Sequence, residues 1–103
     1  MIENVVLSDS DTLVLEADGR IEVSSVVFCN TSGGSDNLYF NVVKAGSTPV
    51  AGNRVISGIA IPANETLVWE FSEHILLENG DRLYGYSDTA SSFSVVVNYK
   101  ERS

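Results

Sequence analysis

The 103-residue chain has one cysteine, one histidine, two prolines and only six lysines and arginines. Cys29 on its own excludes an internal disulfide and any zinc site built on several thiolates. Within the run Val26-Val27-Phe28-Cys29 it reads as core packing. The six bases stand against fourteen acids, a net charge of −8 at pH 7. Such a field repels nucleic-acid phosphates and anionic lipid surfaces, so partners are expected among neutral or basic surfaces, with no nucleic acid and no membrane. No apolar run approaches the ~18 residues that a membrane span needs. The opening Met1-Ile2-Glu3-Asn4 has neither a basic nor an apolar signal region, which predicts a chain made in a cytoplasm.

Reactive groups are as scarce. A nucleophile needs a base beside it, and the one histidine, His74, sits in Phe71-Ser72-Glu73-His74-Ile75 at an expected bend between strands. Without a nucleophile-elbow glycine pattern, His74 reads as structural and the chain as no enzyme, with no catalytic residue. No Gly-Lys-Ser/Thr loop and no Gly-x-Gly-x-x-Gly follows a strand, so nucleotide binding lacks its backbone cradle. The acids of Asp9-Ser10-Asp11, with Asp36 and Asp88, offer oxygens of the kind calcium takes, but no EF-hand spacing. They read as solvated loop acids, and neither metal nor cofactor is expected. The sequons Asn30-Thr31-Ser32 and Asn64-Glu65-Thr66 read as turn chemistry.

What is present is β-patterning. Apolar positions alternate singly or come as short β-branched runs, which predicts an all-β chain. Strands are expected over residues 12–16, 20–30, 37–44, 54–61, 65–71, 75–77, 82–87 and 92–100. Phe93, Val95, Val97 and Tyr99 share one side of the last strand, with Ser94, Val96, Asn98 and Lys100 on the other. Residues 20–30 place Ile21, Val23, Val27 and Cys29 on one side and Val26 with Phe28 on the other, a two-faced pattern that suggests a central strand. Asp18-Gly19 and Asn79-Gly80 suit two-residue hairpin turns that need positive φ. About eight strands in one small domain is the scale of a single two-sheet antiparallel β-sandwich, jelly-roll or immunoglobulin-like in its connections. The sandwich is placed at residues 12–103, and residues 1–11 are expected as a flexible arm. Tyr39, Trp69, Tyr84, Tyr86 and Tyr99 could build a sugar-stacking platform, but sandwich cores and interfaces use the same residues.

From Val26 onward the order of segments carries a resemblance. Val26-Val27-Phe28-Cys29-Asn30-Thr31-Ser32-Gly33 is followed by a strand from Leu38 to Lys44, then by Ile61-Pro62-Ala63-Asn64-Glu65-Thr66-Leu67. After these come Leu76-Leu77-Glu78-Asn79-Gly80-Asp81-Arg82-Leu83 and a closing Val95-Val96-Val97-Asn98-Tyr99. This resembles small β-sandwich virion proteins of tailed bacteriophages, in which a strand ends in Cys-Asn-Thr-Ser-Gly and is followed by an Ile-Pro-Ala-x-x-Thr-Leu turn and a Leu-x-x-Gly-Asp hairpin. The match covers about three quarters of the chain. Toward the amino terminus the relatives' Tyr-Thr-Val-Pro-x-Gly entry is replaced by Leu13-Val14-Leu15-Glu16-Ala17-Asp18-Gly19-Arg20.

The resemblance implies a structural protein of the virion, assembled in the host cytoplasm. Its expected role is a capsid decoration or cement protein that binds the major capsid protein or another virion protein and stabilises the shell. Neck, collar or tail-fibre modules and a carbohydrate-binding sandwich are the alternatives. Many copies, each with modest contacts, would reinforce a shell, and a homotrimer would match its local three-fold axes. The expected contact residues are Ile2, Val5, Val6 and Leu7, apolar enough to add a strand to a neighbour's sheet, and the basic anchors Lys44 and Arg54.

Overall fold

A strand pairs well where one face finds apolar cover and the other tolerates water, and this chain supplies eight such segments. They are β1 (Ile2–Val6), β2 (Thr12–Glu16), β3 (Arg20–Asn30), β4 (Asp36–Val43), β5 (Arg54–Ile61), β6 (Thr66–Leu77), β7 (Arg82–Ser87) and β8 (Phe93–Arg102). The computed structural model describes residues 1–102, and the side chains of all of them except residues 71–73. The strands form two antiparallel four-stranded sheets. The first has the order β1-β8-β3-β6 and the second β2-β7-β4-β5. The inward rows, Val23, Val26, Phe28, Val95 and Val97 from the first sheet and Leu38, Phe40 and Leu83 from the second, make one core. Phe28 and Phe40 meet edge to face across it, with ring centroids 5.1 Å apart.

The pairings decide between the two expected topologies. In an immunoglobulin sandwich the first strand lies beside the second, whereas here β1 lies beside β8. The pairs β1-β8, β2-β7, β3-β6 and β4-β5 are nested, as if one long hairpin had been folded over on itself. That nesting, with strands alternating between the two sheets, is a jelly roll.

Four expectations are corrected by this arrangement. Residues 1–11 are not simply an arm, because Ile2–Val6 pairs with β8 from Ile2↔Asn98 to Val6↔Ser94. Leu7 follows, 1% exposed in the core. The segments expected at 65–71 and 75–77 are one strand, β6, whose pairing with β3 shifts register between Val23 and Ser25. There four residues of β6 stand against Ser24, while against β8 Ser24 is itself the extra residue of a bulge between Val23↔Tyr99 and Ser25↔Asn98, held by Ser24 Oγ donating to the Asn98 carbonyl and Asn98 Nδ2 donating to Ser25 Oγ. The bulge reverses the alternation along β3. Ile21, Val23, Val26 and Phe28 therefore all face inward, while Val27 and Cys29 face out and are only half-buried. Cys29 is thus not a core residue, although β3 is a central strand.

The fourth correction concerns the glycine turns. Gly19 and Gly80 do adopt positive φ, 79° and 89°. Neither closes a hairpin: Asp18-Gly19 leads from β2 to β3 and Asn79-Gly80 from β6 to β7, each crossing from one sheet to the other. The two corners lie side by side, with Gly80 N–H donating to the Ala17 carbonyl and Gly19 N–H to Asn79 Oδ1. Asp81 ties a third segment in, accepting from the backbone N–H of Glu78 and of Ala45.

Candidate functional site

Two sheets leave four edge strands: β1 and β6 in the first, β2 and β5 in the second. Among the described residues the exposed large apolar side chains are Met1, Ile2, Val6, Leu13, Val50, Val55, Ile59, Val68 and Leu76. Seven of these nine lie on edge strands, and none lies on β3, β4, β7 or β8. On one flank, Glu3, Val5, Leu13, Leu15 and Tyr99 line a cleft between β1 and β2. On the other, Val55, Ile56, Ile59, Leu67, Val68 and Trp69 line an apolar groove between β5 and β6. An isolated sandwich gains nothing from aliphatic side chains on its edges, since edges are where foreign strands add.

The six expected contact residues separate on this geometry. Ile2 and Val6 point out from β1, Val5 is half-buried toward the β1/β2 cleft, and Leu7 is inside the core and cannot touch a partner without unfolding its segment. Lys44 is exposed just after β4. Arg54, at the start of β5, is half-buried with its guanidinium carbon 5.3 Å from the Tyr39 ring centroid and 5.6 Å from that of Tyr86. Structure therefore brings Ile2, Val5 and Val6 together on one strand, and places Arg54 on an aromatic pair of the second sheet.

That pair forms because β4 and β7 bring Tyr39 and Tyr86 into register on the outer face, where the rings stack 4.4 Å apart at 8°. Gly58, with φ of 74°, lies against the Tyr39 ring; a Cβ there would come within 3.4 Å of it. Burial pushes the Tyr39 hydroxyl above its ordinary pKa, and the neighbouring Asp88 carboxylate adds to the shift. Asp88 also accepts from Asn37 Nδ2 at 2.7 Å. Of the five aromatics expected as a platform, Tyr39 and Tyr86 are stacked on each other, each covering one face of its partner. Tyr84 accepts a hydrogen bond from Arg82 Nη1 at 3.2 Å.

The first sheet's outer face differs. Pairing aligns Asn4, Val96, Val27 and Val68 in one row across all four strands, with Val6, Ser94, Cys29 and Thr66 in the next. One end of this face is charged. Glu22 is met by His74 Nδ1 at 3.1 Å, Lys100 Nζ at 3.4 Å and Arg102 Nη1 at 3.7 Å. Burial raises the Glu22 pKa, but hydrogen bonds from His74 and Lys100 and their charges outweigh it and hold the carboxyl below its ordinary value. His74 is accordingly one member of a charged knot that ties β6 to β3 and, through Glu22, to β8.

The residues that carry the sequence resemblance hold the fold together. Asn30 is fully buried at the end of β3; its Nδ2 donates to the carbonyls of Gly34 and Ile61, and its Oδ1 accepts from the N–H and hydroxyl of Ser32. Asn64 takes φ of 60° in the Pro62–Glu65 turn, and Asp81 braces the corner already described. Asp36 also serves the backbone, accepting from the N–H of Asn37 and of Thr89. Among the described residues no three His, Cys, Asp or Glu side chains gather in a metal-holding group. No family model, curated protein or solved structure matches the chain.

Proposed function

We propose that the protein is a non-enzymatic structural module that works by contact, and that its role is capsid decoration in a tailed-bacteriophage virion. The observation that carries the contact reading is the gathering of exposed aliphatic side chains on the edge strands, with Ile2 and Val6 on β1 and Val55, Ile59, Val68 and Leu76 on β5 and β6. Sheet edges that keep apolar side chains in water gain most when a neighbour covers them. Two further points support the virion role: the segment order from Val26 to Tyr99 that resembles phage sandwich proteins, and a jelly roll, an architecture that viral capsid domains use often. The jelly roll also serves lectins, so it weighs less than the edges do. A shell ornament needs no strong single interface, because many copies with modest contacts reinforce a lattice together.

The test is immuno-electron microscopy of phage particles from the organism that carries this sequence. Label spread over the whole shell is expected. Label confined to the neck or fibres would move the role there, and unlabelled particles would overturn the virion reading. The contact reading is tested separately by Val55→Lys and Ile59→Lys, exposed on the β5 edge of the second sheet, which keep the fold and are expected to weaken shell binding at least tenfold.

A further inference from the structure

We propose that the outer face of the first sheet is the docking face for a second copy of this chain, related by a two-fold axis that runs along the strands between β8 and β3. This goes beyond the virion reading and does not depend on it. Outer faces of antiparallel sheets are ordinarily polar. Here the two central strands carry Val27, Cys29 and Val96 outward, flanked by Val68 and Val6 on the edges. The rim near this patch is polar, with Asn4, Ser25, Thr66, Ser94 and Asn98, and carries one carboxylate, Glu70, which the proposed axis sets over Ile2 of the second copy and not over another acid. An apolar centre inside a polar rim is the anatomy of an interface. Four strands at about 4.8 Å and nine residues at about 3.4 Å give a face roughly 19 by 30 Å, enough for an interface at the lower end of the specific range.

Charge selects a second copy as the occupant. Two chains of net charge −8 repel, so self-association needs a face where the charges match their own images. The proposed axis exchanges β8 with β3 while keeping each position along the strands. Val96 pairs with Val27 within the chain, so Val96 of one copy meets Val27 of the other. Lys100 pairs with Glu22 in the same way, so Lys100 of one copy meets Glu22 of the other, twice over. Arg102 then lies over Arg20 of the second copy, whose charge Glu78 already matches by three hydrogen bonds. Such self-complementarity is what a closed two-fold interface requires.

The test is the mass of the full chain by light scattering over a wide concentration range. Twice the single-chain mass is expected, falling to the single-chain mass in Val27→Asp and in Val96→Asp, with Leu13→Asp on the opposite sheet unaffected. Should the aspartate variants not fold, thiol labelling of the native chain reads the same face: Cys29 is expected to react at least fivefold faster after dilution below the dissociation constant. A single-chain mass at every concentration, a three-chain mass, or a dimer that Val27→Asp leaves intact would each overturn the proposal, as would Cys29 labelling independent of concentration.

Discussion

Glu22 is the residue on which three basic side chains converge, and its position explains why this corner of a strongly acidic protein holds together. His74, Lys100 and Arg102 reach it from two other strands, across a part of the first sheet where the β3 bulge has loosened the ladder. Its carboxyl titrates lower in the folded chain than in the unfolded one, so the unfolded chain binds that proton more readily. The stabilisation is complete above the unfolded value, about pH 4.3, and is lost as pH falls through the folded value. Urea unfolding is therefore expected to show a midpoint difference between wild type and Glu22→Gln that is full at about pH 6 and closes toward about pH 3. A difference that persists undiminished in acid would place the effect in packing and not in charge. Asn30 acts by a different rule. Fully buried with both amide atoms engaged, it closes the loop after β3 against the Ile61 carbonyl. Asn30→Ala strands buried donors and acceptors, and a loss of about 2–4 kcal/mol is expected by equilibrium denaturation.

Elements show how local chemistry and long-range pairing divide the work. The apolar patterning of residues 12–16, 20–30, 54–61 and 82–87 marked four strands at their observed bounds, although β5 buries only Ile56 and Ile61, on either side of the positive-φ Gly58. The glycines at 19 and 80 also announced their backbone geometry, since φ near +80° is cheap only for glycine. Whether such a turn closes a hairpin or crosses between sheets is not written in its two residues; it depends on which strands pair, and nested pairing sends both corners across the core. The bulge at Ser24 was hidden for the same reason, being fixed by Asn98 from the far end of the chain. Of the residues proposed for contact, Ile2 and Val6 were legible as apolar residues outside the expected core. The Val27-Val96-Val68 row and the Tyr39-Tyr86 stack were not, because both exist only through register. Strand β1 escaped because Ile2–Val6 and the Leu7 that follows look like a tail until β8 is beside them. The two kinds of residue in that segment are expected to behave oppositely. Leu7→Ala should cost about 2–4 kcal/mol, as a core truncation, whereas Ile2→Ser, exposed at the edge, should stay within about 0.5 kcal/mol. Equal losses from the two would mean that β1 is stabilised as a unit and not through its buried end.

At the scale of the whole molecule, the nested jelly roll sets the order in which chain entropy must be lost. Only β4 and β5 are neighbours both in sequence and in a sheet; β3-β6, β2-β7 and β1-β8 enclose progressively longer loops, until Ile2 lies opposite Asn98. Loop closure precedes the contacts that reward it, so a topology of this kind folds in roughly milliseconds to seconds. The same pairing brings Met1 beside the last strand, its amino group donating to the Tyr99 carbonyl three residues before β8 ends at Arg102. Joining residues 1 and 103 by a short glycine linker would turn β1-β8, the most distant pair, into a hairpin. Opening the chain between Gly33 and Gly34, both exposed, would break only a connection between sheets, because β3 and β4 do not pair. The Asn30 bond to the Gly34 carbonyl would loosen, so the permutant should lose some stability. It should nevertheless fold faster than the parent, by roughly three- to tenfold in stopped-flow refolding, because two nucleating hairpins replace one. The argument rests on closure of β1 against β8 being part of the slow step. A permutant that reaches the native state at the parental rate would show that β1 docks after the barrier, onto a sandwich already built from β2 to β8.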